Sequence, residues 1–332
     1  MAGAVDMKDF SGWIPTRIFW RDSRPMVDWA YLGGRRFTDP FFAQTVESCL
    51  RHPADLLFRH QTPLEELGEI AATQPGLRPT GFIFHMSRCG STLTSQMLAA
   101  LPSNIVLSEV EPVDDILGSY FKHPHVTEER RVQWLHWLVS ALAWRRSPAE
   151  KNVFIKFDCW HVMHLPLLQR AFPDVPWIYQ YREPVEVMAS AMEQLGRQMI
   201  PGVLDARMFG WDAATVGKMS LYEYTARVLA KLCETALVET RAGRGKLLNY
   251  QQLPAAAWPA LLQHWQVDFS AEEMQRMLNA AQMHAKNPVL PFAPDSEAKR
   301  KSVPPELREL TERWLDGVYQ DLEAQRRLQG FA

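Results

Sequence analysis

Phe82-Ile83-Phe84-His85-Met86-Ser87-Arg88-Cys89-Gly90-Ser91-Thr92-Leu93 is the stretch on which the fold of this chain turns. Gly81 to Met86 is a nearly continuous apolar run, which predicts a strand buried on both faces. A short turn containing Arg88 and Gly90 follows, and Ser91 and Thr92 open a run with helical spacing. Strand, tight turn and helix in that order aim several backbone N–H groups and the positive end of a helix dipole at one point, where a phosphate or sulfate can be held. Arg88 adds a permanent charge with a bidentate fork, and the Ser91 and Thr92 hydroxyls add donors. The plainer alternative has Ser91 as a helix cap and Arg88 in solvent. A nucleotide-hydrolase loop needs Gly-x-x-x-x-Gly-Lys-Ser/Thr; this turn lacks the first Gly and the Lys, which disfavours ATP hydrolysis with Mg²⁺.

Outward from that stretch, further apolar runs occupy Asn104 to Ser108, Asn152 to Phe157, Pro176 to Tyr181 and Gly245 to Tyr250, each bounded by Gly, Pro, Asn or charge. Between them, helical periodicity appears at Ser91 to Ala100, Thr127 to Trp144, His164 to Ala171, Pro184 to Leu195, Ser220 to Thr240 and Ser270 to His284. Alternating strands and helices predict one α/β domain over residues 79–332, built on a central, mainly parallel five-stranded sheet with right-handed crossovers. Residues 1–78 lack that alternation. Asp39-Pro40 reads as an N-cap with Pro at the first helical position, followed by Phe41, Phe42, Thr45, Val46, Cys49 and Leu50 at helical spacing, and a second short helix is expected over Pro63 to Ala72. Trp13, Trp20, Trp29 and Tyr31 fall in sequence that reads as irregular. The segment is therefore expected to be a mostly helical extension packed on the main domain, either filling its core or forming a lid over an apolar acceptor site.

Of the 332 residues, 47% are hydrophobic and 22% charged, the balance of a folded globular protein. Thirty-six Lys and Arg face 38 Asp and Glu, and a net charge of -2 provides no field to hold a polyanion, which argues against duplex nucleic acid as partner. Cys49, Cys89, Cys159 and Cys233 form no Cys-x-x-Cys pair, so a reduced, cytoplasmic setting is expected. No signal-like or membrane-spanning apolar stretch is visible, so no membrane partner is expected.

A second anion site is legible downstream. Trp177-Ile178-Tyr179-Gln180-Tyr181 predicts a buried strand ended by Arg182, and Glu183-Pro184 starts the next helix. Ser190 follows Arg182 by eight residues. An Arg leaving the carboxyl edge of a sheet and a Ser in the second turn of the next helix can converge on one anion, where open α/β sheets bind ligands. The alternative is an Arg182–Glu186 pair on a helix face.

Ser87-Arg88-Cys89-Gly90-Ser91-Thr92-Leu93 resembles the 5′-phosphosulfate-binding loop of sulfotransferases that use 3′-phosphoadenosine 5′-phosphosulfate, with Cys89 where those enzymes have Ser. Arg182-Glu183-Pro184-Val185-Glu186-Val187-Met188-Ala189-Ser190 resembles their 3′-phosphate-binding segment, and His164 to Asp174 the helix and turn before it. Asn249 to Leu253 and Lys299-Arg300-Lys301 are weaker likenesses. The resemblance spans residues 80 to 325 and implies a P-loop-like three-layer fold and the adenosine donor as cofactor, with no metal required. It implies contacts to the 5′ end from Ser87, Arg88, Cys89, Gly90, Ser91 and Thr92, to the 3′-phosphate from Arg182 and Ser190, and late cationic contacts from Lys299 and Arg300.

Sulfuryl transfer builds charge on the departing phosphate oxygen and requires removal of the acceptor's proton. Arg88, the loop amides and Lys156, placed where the family has a sulfate-contacting Lys, suit the first task; the alternative for Lys156 is a surface lysine ending a strand. For the proton, Glu109 lies 21 residues after Arg88, a separation similar to that of the catalytic glutamate in tyrosylprotein-type sulfotransferases. Glu111, His161 and Asp158 are the other candidates. Asp158, His161 and His164 also have a spacing that zinc can use, without a Cys or further His to reinforce it. No Gly-x-Ser-x-Gly elbow is present, and Gly243-Arg244-Gly245 precedes a strand instead of following one. The expected activity is in-line transfer to a hydroxyl or amine of a small-molecule or peptide acceptor, with a homodimer as the assembly considered. Its competitors are an ATP-dependent small-molecule kinase on the same fold and a catalytically inactive nucleotide-binding or interaction protein.

Overall fold

An apolar run of five residues has no polar face to offer water and becomes a strand covered on both sides. The computed structural model describes residues 10–51, 60–243, 245–291, 300 and 303–330. Its main strands are β1 (Trp13–Arg21), β2 (Arg24–Tyr31), β3 (His60–Pro63), β4 (Gly81–His85), β5 (Asn104–Ser108), β6 (Asn152–Lys156), β7 (Trp177–Tyr181) and β8 (Gly245–Asn249). The last five make one sheet in the order β5-β6-β4-β7-β8. β4 runs parallel to β6, with Gly81 opposite Phe154, and to β7, with Phe82 opposite Trp177; β7 runs parallel to β8, with Trp177 opposite Gly245. Every residue of β4, β5 and β7 is buried. The expected α/β class is thus present, and helices Ser91–Ala99, Glu128–Leu142, Leu165–Ala171, Pro184–Glu193 and Leu221–Arg241 lie close to their expected ends. The helix expected over Ser270 to His284 is shorter, Ala271–Ala280, because Met283–His284 pairs with Asn287–Pro291 as a small antiparallel ribbon.

Residues 1–79 and 102–153 form one compact unit. Among its described residues the N-terminal part is not mostly helical as expected. Helices Phe42–Leu50 and Leu64–Thr73 lie where the sequence places them, but β1 and β2 form an antiparallel hairpin, and β3 adds to β2 with Val27 opposite Thr62. Asp22 and Ser23 have φ of 49° and 65°, the left-handed two-residue turn that matches strand twist. Ile14, Ile18, Val27 and Trp29 are buried, and the Trp29 indole donates to Thr62 Oγ1 at 3.0 Å. The Ile18 amide donates to Asp115 Oδ2 at 2.8 Å, which satisfies a donor on the edge strand β1. Burial pushes the Asp115 carboxyl up to about 6, against the pull of that hydrogen bond. In Glu128–Leu142, Trp134, Leu135, Leu138 and Leu142 are buried, so the helix faces a core. Gly68 makes room for Trp137, whose ring would lie 2.6 Å from a Cβ there.

Residues 80–101 and 154–332 form the second unit. Phe84 stacks on Phe157 with ring centroids 4.7 Å apart and meets Trp177 edge-on at 5.9 Å. Such rings fill volume and fix one another's orientation. The carboxyl ends of β4, β6, β7 and β8 are His85, Lys156, Tyr181 and Asn249, and the segments that follow them carry most of the candidate site.

Candidate active site

The turn after β4 has an uncommon backbone. Ser87, Arg88 and Gly90 have φ of 77°, 52° and 82°, and left-handed values at consecutive non-glycine residues persist only where the surroundings impose them. His85 Nδ1 accepts the Ser87 amide at 3.1 Å, which leaves Nε2 to carry the proton donated to the Phe157 carbonyl at 3.0 Å. The Gln180 carboxamide donates to the Cys89 carbonyl at 2.7 Å and accepts from the Thr94 hydroxyl at 2.8 Å. Cys89 Sγ donates to the Gln180 carbonyl at 3.1 Å. Cys89 is fully buried against the sheet, and burial pushes its thiol up to about 12. Gly90 is the N-cap of Ser91–Ala99, whose first amides have no partner inside the helix. A Cβ at Gly90 would lie 2.6 Å from the Tyr250 ring. Lys156 is no surface residue: it is fully buried, with Nζ 3.4 Å from Thr92 Oγ1. Ser91 and Thr92, at the helix start, are also buried.

Arg88 reaches across to the second stretch. Its Nε donates to Ser190 Oγ at 2.7 Å and its Nη1 to Gln194 Oε1 at 3.2 Å, which joins segments 102 residues apart in sequence. Arg182 is 5% exposed; its Nε donates to Glu186, one turn before Ser190 on the Pro184–Glu193 helix, and its guanidinium lies 4.3 Å from the Tyr250 ring centroid. The other Glu186 oxygen accepts from Arg300 Nε at 2.7 Å, and Arg300 Nη2 reaches Glu183 at 3.0 Å. The helix-face pair considered from the sequence is therefore real, but it belongs to a triad in which one buried carboxylate lies between two guanidinium groups. Glu186 and Ser190 are about 6 Å apart along the helix axis. Beside them opens a cavity of about 490 Å³ whose walls include Arg182, Arg300, Tyr250, Leu93, Leu253 and Ala281. Its size and mixed lining suit a nucleotide-sized ligand.

The candidates for proton transfer are placed separately. Glu109 follows β5 in the first unit, half-buried, with φ of 55°. Among the described residues six non-glycine residues have left-handed φ, and three of them, Ser87, Arg88 and Glu109, are candidate site residues; backbone strain of this kind gathers at functional positions. Glu111 opens the helix Glu111–Leu117. His161 is fully buried in the 3₁₀ turn Cys159–His164, with Nε2 4.0 Å from Asp158 Oδ2. Among the described residues no three His, Cys, Asp or Glu side chains converge as a metal site. Lys299 and Lys301 lie outside the described residues.

Three contributors escaped the sequence reading. Gln180 and His85 hold the turn, and their signal was available: a polar side chain inside an otherwise apolar strand must find partners once buried. Glu323, on the helix Gly317–Leu328, accepts from Tyr181 Oη at 2.5 Å and Asn249 Nδ2 at 2.8 Å with one oxygen and from Arg326 at 2.8 Å with the other. Burial works to raise its pKa, but the bonds from Arg326, Tyr181 and Asn249 outweigh it and hold the carboxyl at about 2. Tyr181 and Asn249 immediately precede Arg182 and Tyr250, so Glu323 ties together the strand ends behind the cavity. Its partners lie 142 and 74 residues away, and nothing local marks it.

Residues 79–231 match the family described as Sulfotransferase family. Among solved structures, the chain is similar to sulfotransferase STF9 from Mycobacterium avium, at 16% identity and a TM-score of 0.43 over 82% of this chain and 81% of that one. It is similar to a sulfotransferase from Alicyclobacillus acidocaldarius at 15% identity and a TM-score of 0.42, over 75% of this chain and 96% of that one. It is also similar to mouse sulfotransferase SULT7A1 complexed with PAP, at 10% identity and a TM-score of 0.41, over 80% of this chain and 93% of that one. No curated protein sequence matches the chain. The family match begins just before β4 and ends within Leu221–Arg241, so it takes in the Ser87–Thr92 turn, Lys156, Arg182 and Ser190. Both candidate anion-binding stretches thus lie in the segment, residues 79–231, that matches the sulfotransferase family.

Proposed function

We propose that the chain is a sulfotransferase that moves a sulfuryl group from 3′-phosphoadenosine 5′-phosphosulfate to a hydroxyl or amine acceptor by in-line displacement. The observation that carries this reading is the 2.7 Å bond from Arg88 to Ser190, which links the turn suited to the 5′ end with the helix suited to the 3′-phosphate. The residues fit this donor: a helix N-terminus with Arg88 on one side and the Arg182–Glu186–Arg300 triad on the other accompany a cavity with an apolar wall for a purine.

When bound, the donor supplies an activated sulfuryl group whose transfer leaves charge on a phosphate oxygen. Arg88, the Gly90, Ser91 and Thr92 amides and the Ser91 and Thr92 hydroxyls hold the 5′ end. Arg182, Arg300 and Ser190 hold the 3′-phosphate, with Arg182 and Arg300 giving up part of their pairing with Glu186. Lys156, a buried cation 3.4 Å from Thr92, stabilises negative charge that develops beside it, an effect far larger in a dry site than in water. The chain's own cations supply the positive charge, so the reading assigns no metal. Glu109 takes the acceptor's proton; its left-handed backbone, with φ of 55°, supports this choice over Glu111 and His161. The acceptor is a small molecule or a peptide. The four cysteines are buried thiols, in keeping with a reducing compartment such as the cytoplasm. Among the described residues no helix is long and apolar enough to cross a membrane.

Transfer of radiolabelled sulfate from the donor to a panel of hydroxyl and amine acceptors tests this. Labelled product is expected with the wild type. Glu109→Gln should give none, yet still bind adenosine 3′,5′-bisphosphate. Full turnover by Glu109→Gln would move the base to Glu111 or His161, and a wild type that transfers phosphate from ATP but no sulfate would overturn the proposal.

A further inference from the structure

We propose that Gln180 is a positioning residue that aims the Gly90 amide at the 5′ anion; the inference rests on the sulfotransferase reading of the same site. The Cys89–Gly90 bond is trans, so its C=O and N–H point in opposite directions across one plane. Gln180 Nε2 donates to the Cys89 carbonyl at 2.7 Å and draws that oxygen toward β7. The Gly90 N–H is thereby turned away from β7. The orientation of the carboxamide is fixed by its partners: the Cys89 carbonyl can only accept, so the nitrogen faces it, and Oε1 is left to accept from Thr94 Oγ1 at 2.8 Å.

Gln180 is fully buried, and its own carbonyl accepts from the Met86 amide at 3.0 Å and from Cys89 Sγ at 3.1 Å. Side chain and main chain of one residue thus hold both ends of the Met86–Cys89 turn. Without the donor, the buried Cys89 carbonyl loses its partner, an arrangement the turn relieves by rotating the Cys89–Gly90 peptide. That rotation presents an oxygen, in place of an N–H, to an incoming phosphate or sulfate. The Cys89 side chain is engaged on the same side, with Sγ bonded to the Gln180 carbonyl.

Gln180→Met keeps the volume and removes the donor. Calorimetry should show its affinity for adenosine 3′,5′-bisphosphate reduced by about tenfold or more, as expected for one charge-assisted hydrogen bond. Its affinity for adenosine 3′-monophosphate, which lacks the 5′ group, should stay within about twofold of wild type. A merely structural role would weaken both ligands alike. Thr94→Val, which frees Oε1, should show a smaller loss with the same selectivity and decides the matter if Gln180→Met does not fold. Equal weakening of both ligands, or no weakening of either, overturns the proposal. A wild type for which the 5′-phosphate adds no affinity overturns the sulfotransferase reading itself and this proposal with it.

Discussion

Gly90→Ala perturbs the turn where backbone and packing requirements coincide. Gly90 has φ of +82°, and an added Cβ would lie 2.6 Å and 2.7 Å from Tyr250 Cδ2 and Cε2 and 3.4 Å from Gln180 Nε2. Holding an L-residue in that backbone region costs about 1–2 kcal/mol. Carbon atoms prefer about 3.5 Å or more, so the ring must retreat by about 1 Å or the turn must shift. The ring is not loose, because the Arg182 guanidinium lies 4.3 Å from its centroid. Overpacking of this kind adds about 1–3 kcal/mol, for a total of about 2–5 kcal/mol. Urea unfolding measures the total, and calorimetry with adenosine 3′,5′-bisphosphate measures the part felt by the site. The variant should be less stable by that amount and bind the nucleotide at least about tenfold more weakly. Pairing it with Tyr250→Ala removes the clash but not the backbone cost, so the double variant should be more stable than the sum of the single effects implies. A Gly90→Ala protein with wild-type midpoint and affinity would contradict both the backbone cost and the clash with Tyr250.

Two further predictions concern half-buried carboxylates. Asp115 titrates near 6 in the folded chain against 3.8 when unfolded, so the folded state holds the proton longer and its contribution to stability falls as pH rises through that window. Asp115→Asn keeps an acceptor for the Ile18 amide and should lack the decline, being more stable than wild type at pH 8 by about 1–3 kcal/mol; a stability difference that does not change between pH 4 and pH 8 would contradict this. Glu323 behaves in the opposite sense: its folded carboxyl titrates near 2 against 4.5, so its contribution is present above 4.5 and fades as pH falls toward 2. Glu323→Gln should cost about 1–3 kcal/mol at pH 7 and converge on wild type in acid, and thermal melts of the two proteins at several pH values would expose a constant gap if the carboxylate plays no such part.

The central sheet was legible because β4, β5 and β7 are buried on both faces and read as nearly continuous apolar runs. The N-terminal hairpin was not, for definite reasons. Pro15 and Pro25 interrupt its strands, yet Pro15 falls at the register shift of β1, and Pro25 sits near the start of β2, places where proline is tolerated. The Asp22–Ser23 turn lacks the glycine that usually announces a two-residue hairpin. At the site, Arg88, Arg182 and Ser190 are expected from the chemistry their positions offer, and Lys156 from the family resemblance. The Arg88–Ser190 bond and the Glu186 triad are not, since both join residues whose meeting depends on how the Pro184–Glu193 helix returns across the strand ends. A surface lysine was the alternative for Lys156, and its burial beside Thr92 rules that out.

In the proposed function two anion-binding groups grip opposite ends of one nucleotide. Calorimetric titration with adenosine 3′,5′-bisphosphate and with ADP, both without Mg²⁺, tests it most directly. The bisphosphate should bind at least about tenfold more tightly than ADP, and Arg182→Ala should abolish that preference. Equal affinities for the two nucleotides in the wild type would contradict the claim.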